Sequence, residues 1–194
     1  MPLGAFKAAL MGTAGVSTAD VVLLYDTDHS NVASASITSD ITSTYGEYIF
    51  KFYNINPASD VVFQFNGSID GGSNYNVTKT STFFRANHEE GGASAALLYA
   101  DDNDEAQGTG YQDFVPQVSS GTDEHCAGTL HLFNPSSTTY VKHFYSRIQT
   151  VYANTYPMDC FAAGYFNTTS AIDAIDFKMS SGNFDGTIKM WGVK

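Results

Sequence analysis

Apolar and polar residues alternate with a period of two along most of the chain. Across residues 47–53, Tyr48, Phe50 and Phe52 share one face while Glu47, Ile49 and Lys51 share the other, the pattern of a strand with one buried side. Asn54-Ile55-Asn56-Pro57 closes it, because Asn accepts turn geometry and Pro cannot donate to a ladder. Val61, Phe63 and Phe65 then alternate against Gln64, and a turn over residues 67–74 leads into a Thr-rich strand at 77–84. A short apolar run at 21–26 precedes them. Residues 86–110 read as a long loop carrying one short element at 95–99. Further strands are predicted at 112–118, 128–133, 139–148, 161–166, 174–179 and 187–193. In the last pair, Ile175, Phe177 and Met179 alternate with Asp176 and Lys178, and Ile188 and Met190 flank Lys189. Ser181-Gly182-Asn183 and Asp185-Gly186 lie between them, predicting a hairpin with Phe177 and Ile188 facing inward on adjacent strands.

Nine or ten short strands separated by turns predict an all-β fold, a jelly-roll-like antiparallel β-sandwich over residues 19–194. An echo between Phe52-Tyr53-Asn54-Ile55-Asn56-Pro57 and Leu132-Phe133-Asn134-Pro135 fits a two-part sandwich. The first fifteen residues differ. They are Ala-rich, Leu3, Phe6 and Leu10 form one helical stripe with Met11 beside it, and Gly12 and Gly15 end the stretch. So short a helix is marginal alone in water, so residues 1–18 are expected to be a docking arm.

Composition sharpens this picture. Charged residues are 15% of the chain, and 9 Lys+Arg against 20 Asp+Glu leave a formal charge of -11, the opposite of a nucleic-acid footprint. No apolar run approaches the roughly 20 residues of a membrane span, and Met1 to Gly15 lacks the apolar core of a secretory signal. Nucleic acid and membrane insertion are therefore not expected partners. Cys126 and Cys160 make no disulfide framework and read as buried thiols.

Catalytic signals are weak, so no enzyme activity, catalytic residue, cofactor or metal ligand is assigned. Gly92-Ala93-Ser94-Ala95-Ala96 half-matches a nucleophile elbow without its last Gly. The five histidines show no HExxH spacing, and the acidic run Asp101-Asp102-Asn103-Asp104-Glu105 lacks the alternating calcium-loop pattern. A solvated acidic loop is expected there, with weak calcium binding as the alternative. Asn66, Asn76 and Asn167 match glycosylation acceptors, and turn roles suit them better. The suggestive excess is aromatic: Tyr111, Tyr152, Tyr156, Tyr165 and Trp191 are expected at an interface or against a glycan.

Three segments bear on family. EYIFKFYNINPASD (residues 47–60), LHLFNPSSTTYVKHFYSR (130–147) and, most closely, AAGYFNTTSAIDAIDFKMSSGNFDGTIKMWGVK (162–194) resemble a family of small virion structural proteins of marine tailed bacteriophages. The resemblance implies placement on the exterior of a virion assembled in the host cytoplasm, and no reaction. The expected role is capsid decoration or a short fibre, with the chain as a homotrimer contacting other phage virion proteins. A glycan-binding receptor module of the tail, contacting a host surface glycan, is the alternative, and a glycan depolymerase a weaker one.

Overall fold

In a computed structural model, residues 20–194 are described; the stripe Leu3, Phe6, Leu10 and Met11 lies outside them. All thirteen elements among the described residues are strands: β1 (Val21–Val32), β2 (Ser34–Ile37), β3 (Glu47–Pro57), β4 (Phe63–Ser68), β5 (Lys79–His88), β6 (Ala95–Tyr99), β7 (Ala106–Gly108), β8 (Gln112–Asp113), β9 (Cys126–Phe133), β10 (Lys142–Tyr152), β11 (Tyr156–Phe166), β12 (Ala174–Met179) and β13 (Phe184–Val193). They form two antiparallel sheets packed as a sandwich. The large sheet runs β1-β13-β3-β9-β10-β11-β5-β6, with β7 also on β5, and the small sheet runs β2-β12-β4-β8.

The chain passes from large to small sheet at β1–β2, β3–β4, β7–β8 and β11–β12, and returns at β2–β3, β4–β5, β8–β9 and β12–β13. This sets β1-β13-β3-β9 beside β2-β12-β4-β8, an interleaving compatible with the jelly-roll expectation. Two insertions, β5 to β7 and the β10–β11 hairpin, widen the large sheet beyond that framework.

The core is aromatic. Phe177 of β12 meets Phe50 and Phe52 of β3 edge-on, with ring centroids 5.4 and 5.1 Å apart. Phe65 of β4 packs on Phe114 at 4.6 Å and on Phe144 of β10 at 5.2 Å. Edge-to-face and offset pairs of this kind add about 0.5–1.5 kcal/mol each beyond area burial. Two lysines are buried as well. Lys79 and Lys142 are the cross-strand partners of Phe166 from either side. Lys79 Nζ donates to the Gly110 carbonyl, and Lys142 Nζ to the Thr168 carbonyl at 2.9 Å. Burial lowers both ammonium groups, Lys79 to about 8.

Several expectations are corrected. The final hairpin does not exist: β12 pairs with β2 and β4, whereas β13 pairs with β1 and β3. Phe177 and Ile188 are both fully buried, but from opposite sheets. Alternation reports a buried face and says nothing about which strand lies alongside. Gly186 belongs to no turn. It sits in β13 at a register shift with φ +140°, where a Cβ would lie 2.6 Å from Ile55 Cδ1 and 2.8 Å from the Asn54 carbonyl oxygen; only Gly fits that bulge. The strand expected over 112–118 shrinks to two residues, after which Phe114, Val115 and Val118 plug the core from a loop. Conversely, the long loop at 86–110 contains the end of β5, all of β6 and β7.

Candidate docking surface

In an antiparallel sheet with one solvated side, the outward positions are ordinarily polar. The large sheet departs from this. Leu23, Trp191, Ile49, His131 and Tyr145 are successive cross-strand partners on β1, β13, β3, β9 and β10. They form an unbroken row over the outer face, with Leu23 47% and Tyr145 45% exposed. One step along the strands lie Val21, Val193, Glu47 and Phe133, also in register.

The middle of this band is held rigidly. His131 stacks on Tyr145 with centroids 4.5 Å apart and planes 14° apart, and Phe133 lies 5.7 Å from Tyr145. The imidazole Nδ1 is 2.6 Å from Glu47 Oε1, a cross-strand link that fixes the ring. The aromatic plate is therefore pre-set, and covering it costs little side-chain entropy.

A third row crosses all eight strands of the main path: Asp26, Lys189, Lys51, Thr129, Arg147, Phe161, Phe84 and Tyr99. Its first three positions are charged, Thr129 and Arg147 follow, and its last three are aromatic. Phe161 and Phe84 stack at 4.7 Å with planes 6° apart, and the Arg147 guanidinium lies 5.2 Å over Phe161. Arg147 also clasps Asp159, with Nε 3.1 Å from both carboxylate oxygens and Nη2 2.7 Å from Oδ2; that bond raises the guanidinium above its ordinary range. Ala127 and Thr129 are short, so a groove of about 360 Å³ opens beside this pair, with Gln149 on its wall. A second groove, about 260 Å³, shares Gln149 and Asp159 and continues to His88. At the sheet edge, β6 leaves Leu97 73% and Tyr99 54% exposed, with β5 as its sole strand partner among the described residues.

Of the aromatics singled out in the sequence, the structure brings Trp191 and Tyr165 to this face, both half-buried. Lys51 sits 5.4 Å over the Trp191 ring, and Tyr165 lies 6.0 Å from His143. Tyr152 and Tyr156 meet at 6.2 Å where β10 turns into β11, Tyr152 packing on the core. Tyr111 is elsewhere. It covers the outer side of the small sheet, donating to Asp176 at 2.9 Å beneath the Lys178 ammonium, 4.0 Å from its ring. Burial first, and Asp176 second, push its hydroxyl well above the usual tyrosine range.

Sequence reasoning missed His131, Tyr145, Phe133, Phe161, Phe84 and Leu23. The available signal was parity: Tyr145 alternates with buried Phe144 and Ser146, so its outward position was readable once the buried face was known.

The remaining candidates carry structural roles. Asp104 is taken by the Tyr99 hydroxyl, Asn103 donates to Asp113 at 2.8 Å, and the Glu105 amide donates to Ser81 Oγ at 2.9 Å. Among the described residues, no group of three His, Cys, Asp or Glu converges to hold a metal ion. Asn66 is buried in β4, not in a turn, its amide donating to the carbonyls of Tyr75, Thr109 and Gly110. Cys126 and Cys160 are free and buried; burial raises both thiols, Cys160 to about 12, which leaves them unreactive at neutral pH.

No protein-family model, curated protein or solved structure matches the chain.

Proposed function

We propose that this chain is a non-enzymatic structural protein on the exterior of a tailed-phage virion, a capsid decoration protein or a short fibre. It acts by self-association and by docking on other virion proteins, with a homotrimer as the working assembly. The observation that carries this reading is the aromatic band on the outer face of the large sheet. Contiguous exposed apolar surface rimmed by polar residues marks an association site, and Tyr and Trp are the side chains that dominate such sites. The Asp26, Lys51, Lys189 and Arg147 positions supply a charged margin to the band. Antibody labelling of intact particles tests the placement: signal on the outer surface supports it, and particles free of the chain contradict it.

A second reading, a glycan-binding receptor module, draws on the groove at Arg147, Gln149 and Asp159. Planar polar groups beside a stacked Phe161–Phe84 pair suit sugar hydroxyls and sugar faces. Titration with host-surface saccharide, followed by shifts at those residues, separates it from pure assembly. A depolymerase needs two carboxylates about 5–10 Å apart, and the residues lining the two grooves offer Asp159 alone, already held by Arg147.

A further inference from the structure

One end of the sandwich carries a polar hollow that is no part of the aromatic outer face. The loop over 38–46, between β2 and β3, meets the loop over 134–141, between β9 and β10, and a space of about 380 Å³ lies between them. Both walls are held from below. The Asn134 backbone amide donates to the Gly46 carbonyl at 2.7 Å, and the Pro135 carbonyl accepts from the Ile172 amide at 2.8 Å. Fully buried Tyr48 holds the first loop, its hydroxyl accepting from the Thr42 amide at 2.7 Å and donating to the Thr42 carbonyl at 2.8 Å. The Tyr45 ring stands edge-on to Tyr48 at 5.9 Å and lies against Gly192, where a Cβ would come 2.5 Å from its carbons. In the second loop, Ser137 Oγ accepts from the backbone amides of Thr139 and Tyr140 at 3.2 and 3.1 Å. A frame bonded in this way binds without first having to order itself.

We infer that this hollow is a binding site for a neutral saccharide. Its lining is two tyrosines, Tyr45 and Tyr140, with hydroxyl and amide side chains between them and no charged residue. A sugar ring offers C–H faces to aromatic rings. Its hydroxyls both donate and accept, as do the side chains of Ser, Thr and Asn. Among the described residues, the side chains of Asn134, Ser136, Thr138 and Thr139 bond to no other protein group, so a ligand would displace only water from them. Tyr140 is 72% exposed, its ring open to stack. The volume falls in the range of small-molecule sites, about 300–1,000 Å³. Charge selects the class. An acidic sugar would find no cation in the lining and would meet a chain of formal charge -11. The groove beside Arg147 and Asp159 is charged, so the two hollows differ in chemistry. This assignment goes beyond the virion role and does not rest on it.

Amide shift mapping by NMR on the isotope-labelled full chain tests it, with glucose, galactose, mannose and N-acetylglucosamine as probes and N-acetylneuraminate as the acidic comparison. At least one neutral sugar is expected to give saturable shifts centred on Tyr45 and residues 134–140, and N-acetylneuraminate none. Tyr140→Ala and Thr138→Val change exposed side chains and leave the fold in place. Tyr140→Ala should weaken binding roughly three- to tenfold, the worth of one stacking ring, and Thr138→Val by a similar factor for one lost hydrogen bond. No saturable shift from any of the four neutral sugars would overturn the assignment, as would equal binding by the parent and both variants. Shifts at Arg147, Gln149 and Asp159 in place of 134–140 would overturn it in favour of the charged groove. An equal response to N-acetylneuraminate would overturn the neutral class. None of these readouts depends on particles, so failure here is distinguishable from failure of the virion reading.

Discussion

His131 and Tyr145 lie face to face on the outside of the large sheet, their ring centroids 4.5 Å apart and their planes within 14°. Stacked rings on a solvated face contribute little to a core that lies on the other side of the sheet. Tyr145→Ser is therefore expected to cost no more than about 1.5 kcal/mol of folding stability, the worth of one stacked pair, while reducing self-association or incorporation into particles. Thermal unfolding and light scattering on the same samples read the two effects separately. A large loss of stability would move Tyr145 into a structural role.

The sandwich core gives the opposite expectation. Phe177 touches Phe50 and Phe52 across the sheets and is fully buried, so Phe177→Ala should cost about 3–5 kcal/mol in denaturant unfolding. Ile188→Ala, on the facing sheet, should cost about 2–5 kcal/mol. Lys178→Ala removes an ammonium over Tyr111 and should cost roughly 0.5–2 kcal/mol. Equal, small effects from all three would contradict the two-sheet assignment.

Lys79 sets a pH signature. Burial lowers its ammonium from 10.5 to about 8. Below pH 8 it is charged in both folded and unfolded chains, and the folded state carries the desolvation cost. Between pH 8 and 10.5 the unfolded state binds more proton, so stability from this group rises with pH. Lys79→Met is expected to be more stable than the parent at pH 7, by up to about 3 kcal/mol, with the difference shrinking toward pH 10.5. Paired denaturant titrations at pH 7 and pH 10 measure it. A difference independent of pH would show that Lys79 keeps its ordinary ionisation.

Tyr111 separates structure from recognition. Its hydroxyl donates to Asp176, which is 3% exposed and also accepts from Ser36 Oγ at 2.6 Å. Tyr111→Phe removes one partner of a buried carboxylate and should cost about 1–3 kcal/mol, with saccharide titrations unchanged. Loss of glycan binding at unchanged stability would return Tyr111 to the contact surface.

The all-β class and the inward faces of most strands were legible because period-two alternation reports burial directly. Tyr48, Phe50 and Phe52 turn inward as their spacing requires. Strand partnership was not legible. Residues 180–183 between β12 and β13 look like a hairpin turn, yet they carry the chain from one sheet to the other, because each strand finds better neighbours far away in sequence. The aromatic outer face was hidden for a related reason. Ile49, His131 and Tyr145 are 82 and 14 residues apart in sequence, and only the register of β3, β9 and β10 lines them up. Tyr111 shows the converse: its bond to Asp176 was not readable from an aromatic outside any long strand, and only the fold brings the two together.

Cryo-electron reconstruction of intact particles that carry the chain tests the docking face most directly. The expected density places the sandwich on the particle exterior, with the outer side of the large sheet against a neighbouring subunit and Tyr145, His131 and Phe84 covered. Density with that face turned to solvent, and the small sheet making the contacts, would contradict the account.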